Sequence, residues 1–319
     1  MRPAVLPGTR RVAVHPGFVK TATSTLQRHV FPRHPEIAYL GLPAPHADLE
    51  WAIRHLCQAD STRWQGERVG EILRAAVEAA PPDRLVLVSY ENFALHESTD
   101  KGLVAERLAA LLPGASILFT IRRQEELVTS WYLTKLRVRI KRKAFIPFEE
   151  WYWTERRERH LSILDDLCYA PTIEAYRRLF GPERVSVVPF ELLRREPAAF
   201  ARACAAALGV DAERFARLLE GQRENASMSQ RYFDFWRRFG HLLPRRLARK
   251  WARRMPMHDG PSARIPLPEA IRADIAREVA EDNRRLAALT GLDLEGLGYT
   301  LRAAEAPLPP VGAATVEGR

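Results

Sequence analysis

The chain has 319 residues, 46% of them hydrophobic and 28% charged, so it can bury a sizeable core and is neither fibrous nor disordered in composition. Its 49 Lys+Arg against 39 Asp+Glu leave a formal net charge of +10, which points to anionic partners such as a nucleotide, an acidic glycan, an anionic lipid or a nucleic acid. Three widely spaced cysteines, Cys57, Cys168 and Cys204, form no Cys-x-x-Cys pair and argue against a disulfide framework or zinc site, and no stretch reaches the ~20 apolar residues of a membrane span.

Residues 1–10 read as a lead-in without the apolar core of a signal peptide, so a cytoplasmic protein with reduced thiols is the expectation. Arg11 to Val14 predicts a buried strand. The loop His15-Pro16-Gly17-Phe18-Val19-Lys20-Thr21-Ala22-Thr23-Ser24-Thr25 follows, and a helix begins near Leu26. One lysine and four hydroxyl residues within six positions suit an anion. Thr21, Thr23, Ser24 and Thr25 can each donate to a phosphate oxygen, unpaired N–H groups at a helix start add to them, and Lys20 brings a mobile positive charge. A Walker A loop requires glycine directly before the lysine, and this chain has Gly17 three residues away instead. Read as Lys-Thr-x-Thr-Ser/Thr after a strand and a Pro-Gly turn, the segment resembles the 5′-phosphosulfate loop of sulfotransferases. These enzymes use 3′-phosphoadenosine 5′-phosphosulfate (PAPS) as sulfuryl donor. Ala22 stands where that family usually has glycine, and a Cβ there disfavours positive φ.

Pro32 and Pro35 end the first helix, and Ile37–Gly41 predicts a second strand. Asp48 can cap a helix running to Cys57, and Val69, Ile72, Leu73 and Val77 stripe another over 67–80. Leu85–Ser89 is a buried strand, with Tyr90-Glu91-Asn92-Phe93 at its C-terminal end. In a parallel sheet, ligand chemistry gathers beyond the carboxyl ends of strands, which brings Glu91 to the edge that carries the phosphate loop. Ser-Tyr-Glu-Asn-Phe also resembles the Ser-x-Glu segment of bacterial and glycan sulfotransferases. The resemblance implies that Glu91 is the general base taking the proton of an acceptor hydroxyl. A helix-cap or ion-pair carboxylate is the plainer alternative, and His15 and His96 are alternative bases.

A short amphipathic helix over 101–112 and a Pro113-Gly114 turn lead into Ala115–Ile121, a β-rich apolar run ending in Arg122-Arg123. A helix follows, extending to about Lys143. Sulfotransferases hold the donor's 3′-phosphate with an arginine at a strand end and a serine eight positions later on the next helix. Arg122 and Ser130 stand at that spacing, with Tyr132 matching the aromatic that often follows, so the resemblance implies that this pair binds the 3′-phosphate. An arginine fork suits phosphate oxygens.

The basic run 137–143 complements a helix C-terminus and also attracts anions. Phe148–Trp153 fits either a sugar-facing aromatic wall or a packed helix. Residues 155–180 are helical in pattern, interrupted near Pro171. Val185–Val188 predicts another strand, and Pro197–Leu208 with Gly209 beyond it a helix. Asn225-Ala226-Ser227 resembles a segment that closes over the nucleotide in related bacterial sequences, which brings Asn225 and Ser227 into the donor site. Residues 229–254 mix arginines with aromatics, suiting peripheral membrane contact, an acidic acceptor, or a solvated helix. Pro266–Leu289 predicts an amphipathic helix, and 304–319 a disordered tail.

The resemblance implies an α/β fold: a three-layer arrangement like P-loop nucleotide kinases, with a mostly parallel sheet of about five strands. One domain over 1–303 is expected, with a helical extension at 225–300. It further implies transfer of a sulfuryl group from PAPS to an acceptor hydroxyl, with adenosine 3′,5′-bisphosphate (PAP) as product. The donor site then comprises Lys20, Thr21, Ala22, Thr23, Ser24, Thr25, Arg122, Ser130, Asn225 and Ser227, with Lys20 and Glu91 catalytic. No metal is called for, because the loop and lysine supply positive charge. A bacterial, carbohydrate-type enzyme acting on a saccharide or glycolipid is the expectation, without a nucleic-acid partner. An ATP-dependent kinase of similar fold and a non-enzymatic basic binding module are the rivals.

Overall fold

In the computed structural model of the chain, the described residues are 10–95, 100–142, 145–158, 162–222, 228–239 and 257–303. The chain divides into two compact units, Met1–Arg122 with Glu158–Ala226, and Arg123–Arg157 with Ser227–Arg319.

The first unit is built on five strands: β1 (Val12–His15), β2 (Ile37–Gly41), β3 (Leu85–Ser89), β4 (Ser116–Ile121) and β5 (Val185–Pro189). Their order is β2-β3-β1-β4-β5 and every pairing is parallel. The sequence shows why. Runs such as Leu85-Val86-Leu87-Val88 are apolar at every position, as suits strands covered on both faces. Alternation then sorts the two faces. Ala13, Leu85, Leu87, Leu118 and Val188 join Leu26, Val30 and Phe31 and the helices α9 (Pro197–Leu208) and α10 (Ala212–Leu219) in one core. Their neighbours point the other way, where Phe119 meets Tyr176 of α7 (Ala170–Phe180) edge to face. The result is the expected α/β three-layer architecture, with the sheet wholly parallel.

Register matters more than strand count for the site. β1 ends level with β3, His15 opposite Ser89. β4 pairs with β1 only through Ala13↔Ser116 and Val14↔Ile117, then continues along β5 to Ile121↔Pro189. Thr120 and Arg122 therefore stand beyond the end of β1, at the height of the loop that leaves it.

The helix expected after that loop is one helical run with changing pitch. It opens with a single α-turn, α1 (Thr23–Thr25), widens to π winding over Leu26–Val30, and tightens to a 3-10 turn over Phe31–Arg33. Pro32 sits in the first turn of that last segment, where a missing N–H costs little. The other covering helices are α2 (Ala47–Gln58), α3 (Gly66–Ala79), α4 (Lys101–Leu111) and the short α8 (Phe190–Arg195). Asp100 caps α4 by accepting the Leu103 N–H, and Pro171 starts α7 rather than interrupting a longer helix.

The second unit holds α5 (Gln124–Arg142), α6 (Phe148–Arg157), α11 (Gln230–Phe239) and α12 (Glu269–Thr290). Gln124 and Asn283, both buried, exchange reciprocal amide hydrogen bonds of 2.7 and 3.2 Å between α5 and α12. Tyr152 donates to Asp274, which also pairs with Arg156. The aromatic run at 148–153 is packed here: Phe148, Trp151 and Tyr152 are buried, and Phe148 and Trp151 cluster about Tyr132. The sugar-facing wall is thus replaced by core, because α6 presents those rings inward at helical spacing. In α11 likewise Tyr232, Phe233 and Trp236 are buried, which leaves the arginines outward. Residues 240–256 and 304–319 lie outside the described residues. Among those described, no helix is long and apolar enough to cross a membrane.

Candidate active site

The loop after β1 is held by the last residue of the strand. His15 is fully buried, and its Nδ1 lies 2.8 Å from Ser89 Oγ at the end of β3. Gln27 Nε2 donates to the same oxygen at 2.9 Å. The edge of the imidazole lies under Gly17, whose φ is +56°. A Cβ at Gly17 would stand 2.9 Å from His15 Cε1 and 3.0 Å from Thr23 Oγ1, so glycine is required there for space as well as for conformation. Burial drives the His15 imidazole down to about 3, so it is neutral at physiological pH. It supports the loop, and its enclosure makes it ill suited to accept an acceptor's proton.

Phe18 anchors the next stretch, stacked on Phe119 of β4 at 5.4 Å between centroids and tilted on Tyr169 at 4.6 Å. The Phe18 carbonyl accepts from Thr21 Oγ1 at 2.5 Å and Thr23 Oγ1 at 3.1 Å. Thr21 Oγ1 also lies 2.6 Å from Thr120 Oγ1. All three threonines are buried. The hydroxyls of Thr21 and Thr23 thus shape the loop, while Ser24 remains half-buried.

Two non-glycine residues in the described chain have positive φ, and both are in this loop: Lys20 at +64° and Ala22 at +71°. A left-handed L-residue costs roughly 1–2 kcal/mol. Strain of this kind persists only where surrounding contacts impose it, and it gathers at functional sites. At Ala22 the backbone adopts the left-handed conformation a glycine would supply without that cost, and its carbonyl accepts the Leu26 N–H to start the helical run.

Arg122, at the overshooting end of β4, meets the same loop. Its Nη1 donates to the Lys20 carbonyl at 3.1 Å. The guanidinium carbon lies 4.7 Å from the centre of the Phe190 ring, and the Arg122 carbonyl accepts from the Tyr169 hydroxyl at 2.7 Å. Arg122 is 8% exposed, so this cation is held in place rather than waving in solvent.

Glu91 opens a 3-10 turn, Glu91–Phe93, directly after β3. The preceding Tyr90 N–H donates to the His15 carbonyl at 3.3 Å, which ties this turn to the end of β1. Glu91 is half-buried, and its charge contributes to the upward shift of Tyr39, whose main cause is burial of the phenol. The first unit thus gathers Lys20, Thr21, Ala22, Thr23, Ser24, Thr25, Glu91 and Arg122 at the C-terminal ends of β1, β3 and β4.

Ser130 belongs to the second unit, half-buried on α5, where its carbonyl accepts from Thr134 Oγ1. Its tie to Arg122 rests on sequence spacing. Asn225, Ser227 and His96 lie outside the described residues. Sequence reasoning missed Thr120, Tyr169 and Phe190, the residues that fasten Thr21 and Arg122. Thr120 carries a signal, being the polar member of the apolar run Ile117-Leu118-Phe119-Thr120-Ile121. Tyr169 carries none, since its role depends on long-range packing, and Phe190 is legible only as the first residue of Phe190-Glu191-Leu192-Leu193 after β5.

No family model matches the chain, and no curated protein matches it. Among solved structures, a sulfotransferase from Alicyclobacillus acidocaldarius is similar with a TM-score of 0.56 at 19% identity, covering 92% of this chain and 99% of that one. The sulfotransferase domain of the curacin biosynthetic pathway gives 0.44 at 14% identity, over 94% and 100% of the two chains. That of the Synechococcus PCC 7002 olefin synthase gives 0.45 at 14%, over 87% and 96%. The first likeness shows a shared fold.

Proposed function

We propose that this protein moves a sulfuryl group from PAPS to an acceptor hydroxyl. The observation that carries the reading is the junction of two distant motifs, Arg122 to the Lys20 carbonyl, inside a loop holding both left-handed non-glycine residues of the described chain. An anion-binding loop and an arginine in contact suit a ligand with two phosphate-bearing ends. The shared fold with a sulfotransferase adds support at the level of architecture.

In this reading the acceptor oxygen attacks sulfur in line, forming an O–S bond as the bond from sulfur to the 5′-phosphate oxygen breaks. Lys20 stabilises charge on the departing oxygen. Glu91 takes the acceptor's proton and releases it to solvent once the products leave, which regenerates the carboxylate. The loop from Lys20 to Thr25 holds the 5′-phosphate, with Thr21 and Thr23 acting through the shape they impose and Ser24 as the half-buried hydroxyl. Arg122 grips the 3′-phosphate. Ser130, Asn225 and Ser227 enter as assignments from sequence, as does a single functional domain over 1–303. The same holds for a saccharide or glycolipid acceptor, favoured by the charge of +10. A reducing, cytoplasmic setting is consistent with three free cysteines.

Thermal shift with PAP and with ATP–magnesium tests this. Selective stabilisation by PAP is expected, followed by transfer of labelled sulfate from PAPS in an acceptor screen. Stabilisation by ATP–magnesium alone would make the protein a kinase of related fold.

A further inference from the structure

We infer that Arg122 is a positioning residue for Lys20, so that the phosphate gripped at one end of the donor governs the pose of the lysine at the other. This rests on the sulfuryl-transfer reading above. Lys20 is held at φ +64°, a conformation that a lysine does not keep unaided. The Arg122 Nη1 bond acts on the carbonyl of that same residue. Rotating Lys20 back to negative φ redirects its Cα–Cβ bond and the following peptide together, so the lysine cannot leave its pose while the carbonyl stays on the guanidinium.

Arg122 is itself braced. Tyr169 donates to its carbonyl, and Phe190 lies against its guanidinium. Tyr169 also contacts Phe18, the loop's anchor. The contacts close a circuit within the first unit: Phe18, Tyr169, Arg122, Lys20 and back along the loop. A guanidinium has five N–H donors in one rigid plane, so it can serve a backbone carbonyl and an anion together, whereas an ammonium is a point charge. A 3′-phosphate on Arg122 immobilises the plane and, through it, the Lys20 peptide. Linkage makes this reciprocal: the lysine's contact with the 5′ end strengthens the grip at the 3′ end by the same factor.

The experiment needs no acceptor. Dissociation constants of PAP and adenosine 5′-monophosphate are measured by titration calorimetry for the wild type, Lys20→Ala, Arg122→Lys and the double variant, with thermal melting to verify folding. In the native background, Lys20→Ala should weaken PAP about 5-fold or more beyond its effect on the monophosphate. In the Arg122→Lys background the two penalties should be equal. Tyr169→Phe, which leaves every charge in place, should shrink the native difference and serves where Arg122→Lys does not fold. Equal penalties in the native background, or an undiminished difference in both Arg122→Lys and Tyr169→Phe, overturn the coupling while leaving the sulfuryl-transfer reading intact. A wild type that binds PAP no better than ATP overturns both.

Discussion

His15 Nδ1 and Ser89 Oγ lie 2.8 Å apart where β1 and β3 end, and Gln27 reaches the same hydroxyl from the helical run beyond the loop. One buried oxygen thus joins three segments that frame the candidate site. The other ring nitrogen of His15, Nε2, is buried without a hydrogen-bond partner among the described residues. Placing a proton and a charge there is costly.

That enclosure has a pH signature. The ordinary histidine value is 6.5 and burial lowers His15 to about 3. Between those values the unfolded chain binds a proton that the folded chain refuses, so stability rises with pH through this window and is lost as pH falls. His15→Asn should lower stability at neutral pH yet show a shallower decline from pH 6.5 downward. The difference approaches about 1.4 kcal/mol per pH unit at most. Urea melts at several pH values measure it, and parallel slopes would mean that the imidazole takes its proton freely in the folded state.

Ala22 carries a conformational cost that glycine would not. Ala22→Gly should remove roughly 1 kcal/mol of left-handed strain, offset in part by glycine's greater freedom in the unfolded chain. The expected outcome is an unchanged or slightly raised melting temperature. Ala22→Val, β-branched at φ +71°, should lower stability by roughly 2 kcal/mol or more. A clear loss of stability in the glycine variant would show that the strain argument is misplaced.

The proposed sulfuryl transfer predicts that Lys20→Ala lowers turnover by about 10²-fold or more, because the role proposed for the lysine is to stabilise charge that grows in the transition state. PAP affinity should fall by much less, since Arg122 and the loop backbone persist. Single-turnover rates with labelled PAPS, set beside PAP titrations, separate the two effects. Rates and affinity falling in equal measure would recast Lys20 as a ground-state binder.

In the second unit, Asn283 also donates to the Thr300 carbonyl at 2.9 Å, so its amide joins α5, α12 and the segment after α12. Asn283→Ala should cost about 2–3 kcal/mol by breaking the buried amide pair with Gln124 and removing the donor to that carbonyl. Removing both amides with Gln124→Leu and Asn283→Leu should cost less than the sum of the single changes, a coupling of about 1 kcal/mol that chemical denaturation can read. Strict additivity would mean that the reciprocal pair contributes nothing as a pair.

Arg107 gives a similar test in the first unit. Its buried guanidinium donates from Nη1 to the Leu56 and Ala59 carbonyls at 2.8 and 2.7 Å, closing the C-terminus of α2, and lies 4.1 Å from the Trp64 ring centre. Arg107→Lys keeps the charge but not the planar fork or the stack. A loss of roughly 2 kcal/mol is expected in thermal or urea melts. A neutral result would reduce the cap to a bystander.

Legibility followed range. The apolar runs Leu85–Ser89 and Ser116–Ile121 declare themselves because a strand covered on both faces needs no polar positions. Glu91 and Arg122 were readable as strand-end residues for the same reason. The threonines were harder. Thr21 and Thr23 read as anion donors, but Phe18 turns its carbonyl toward both, and composition cannot say where a hydroxyl will point. The rings of Phe148, Trp151 and Tyr152 suited a glycan wall equally well until α6 turned them into a core. The helix Ala212–Leu219 packs Phe215 and Leu219 into the main core, a place that neighbouring residues do not announce.

By itself the sequence determined which segments become strands, where the loop after β1 lies, and that an arginine ends β4, since these follow from neighbouring residues and their spacing. Only the tertiary structure decided that Lys20 and Arg122, 102 positions apart, would touch. Their meeting depends on β4 lying beside β1 and running past its end, and strand order and register are set by the closing of the whole sheet.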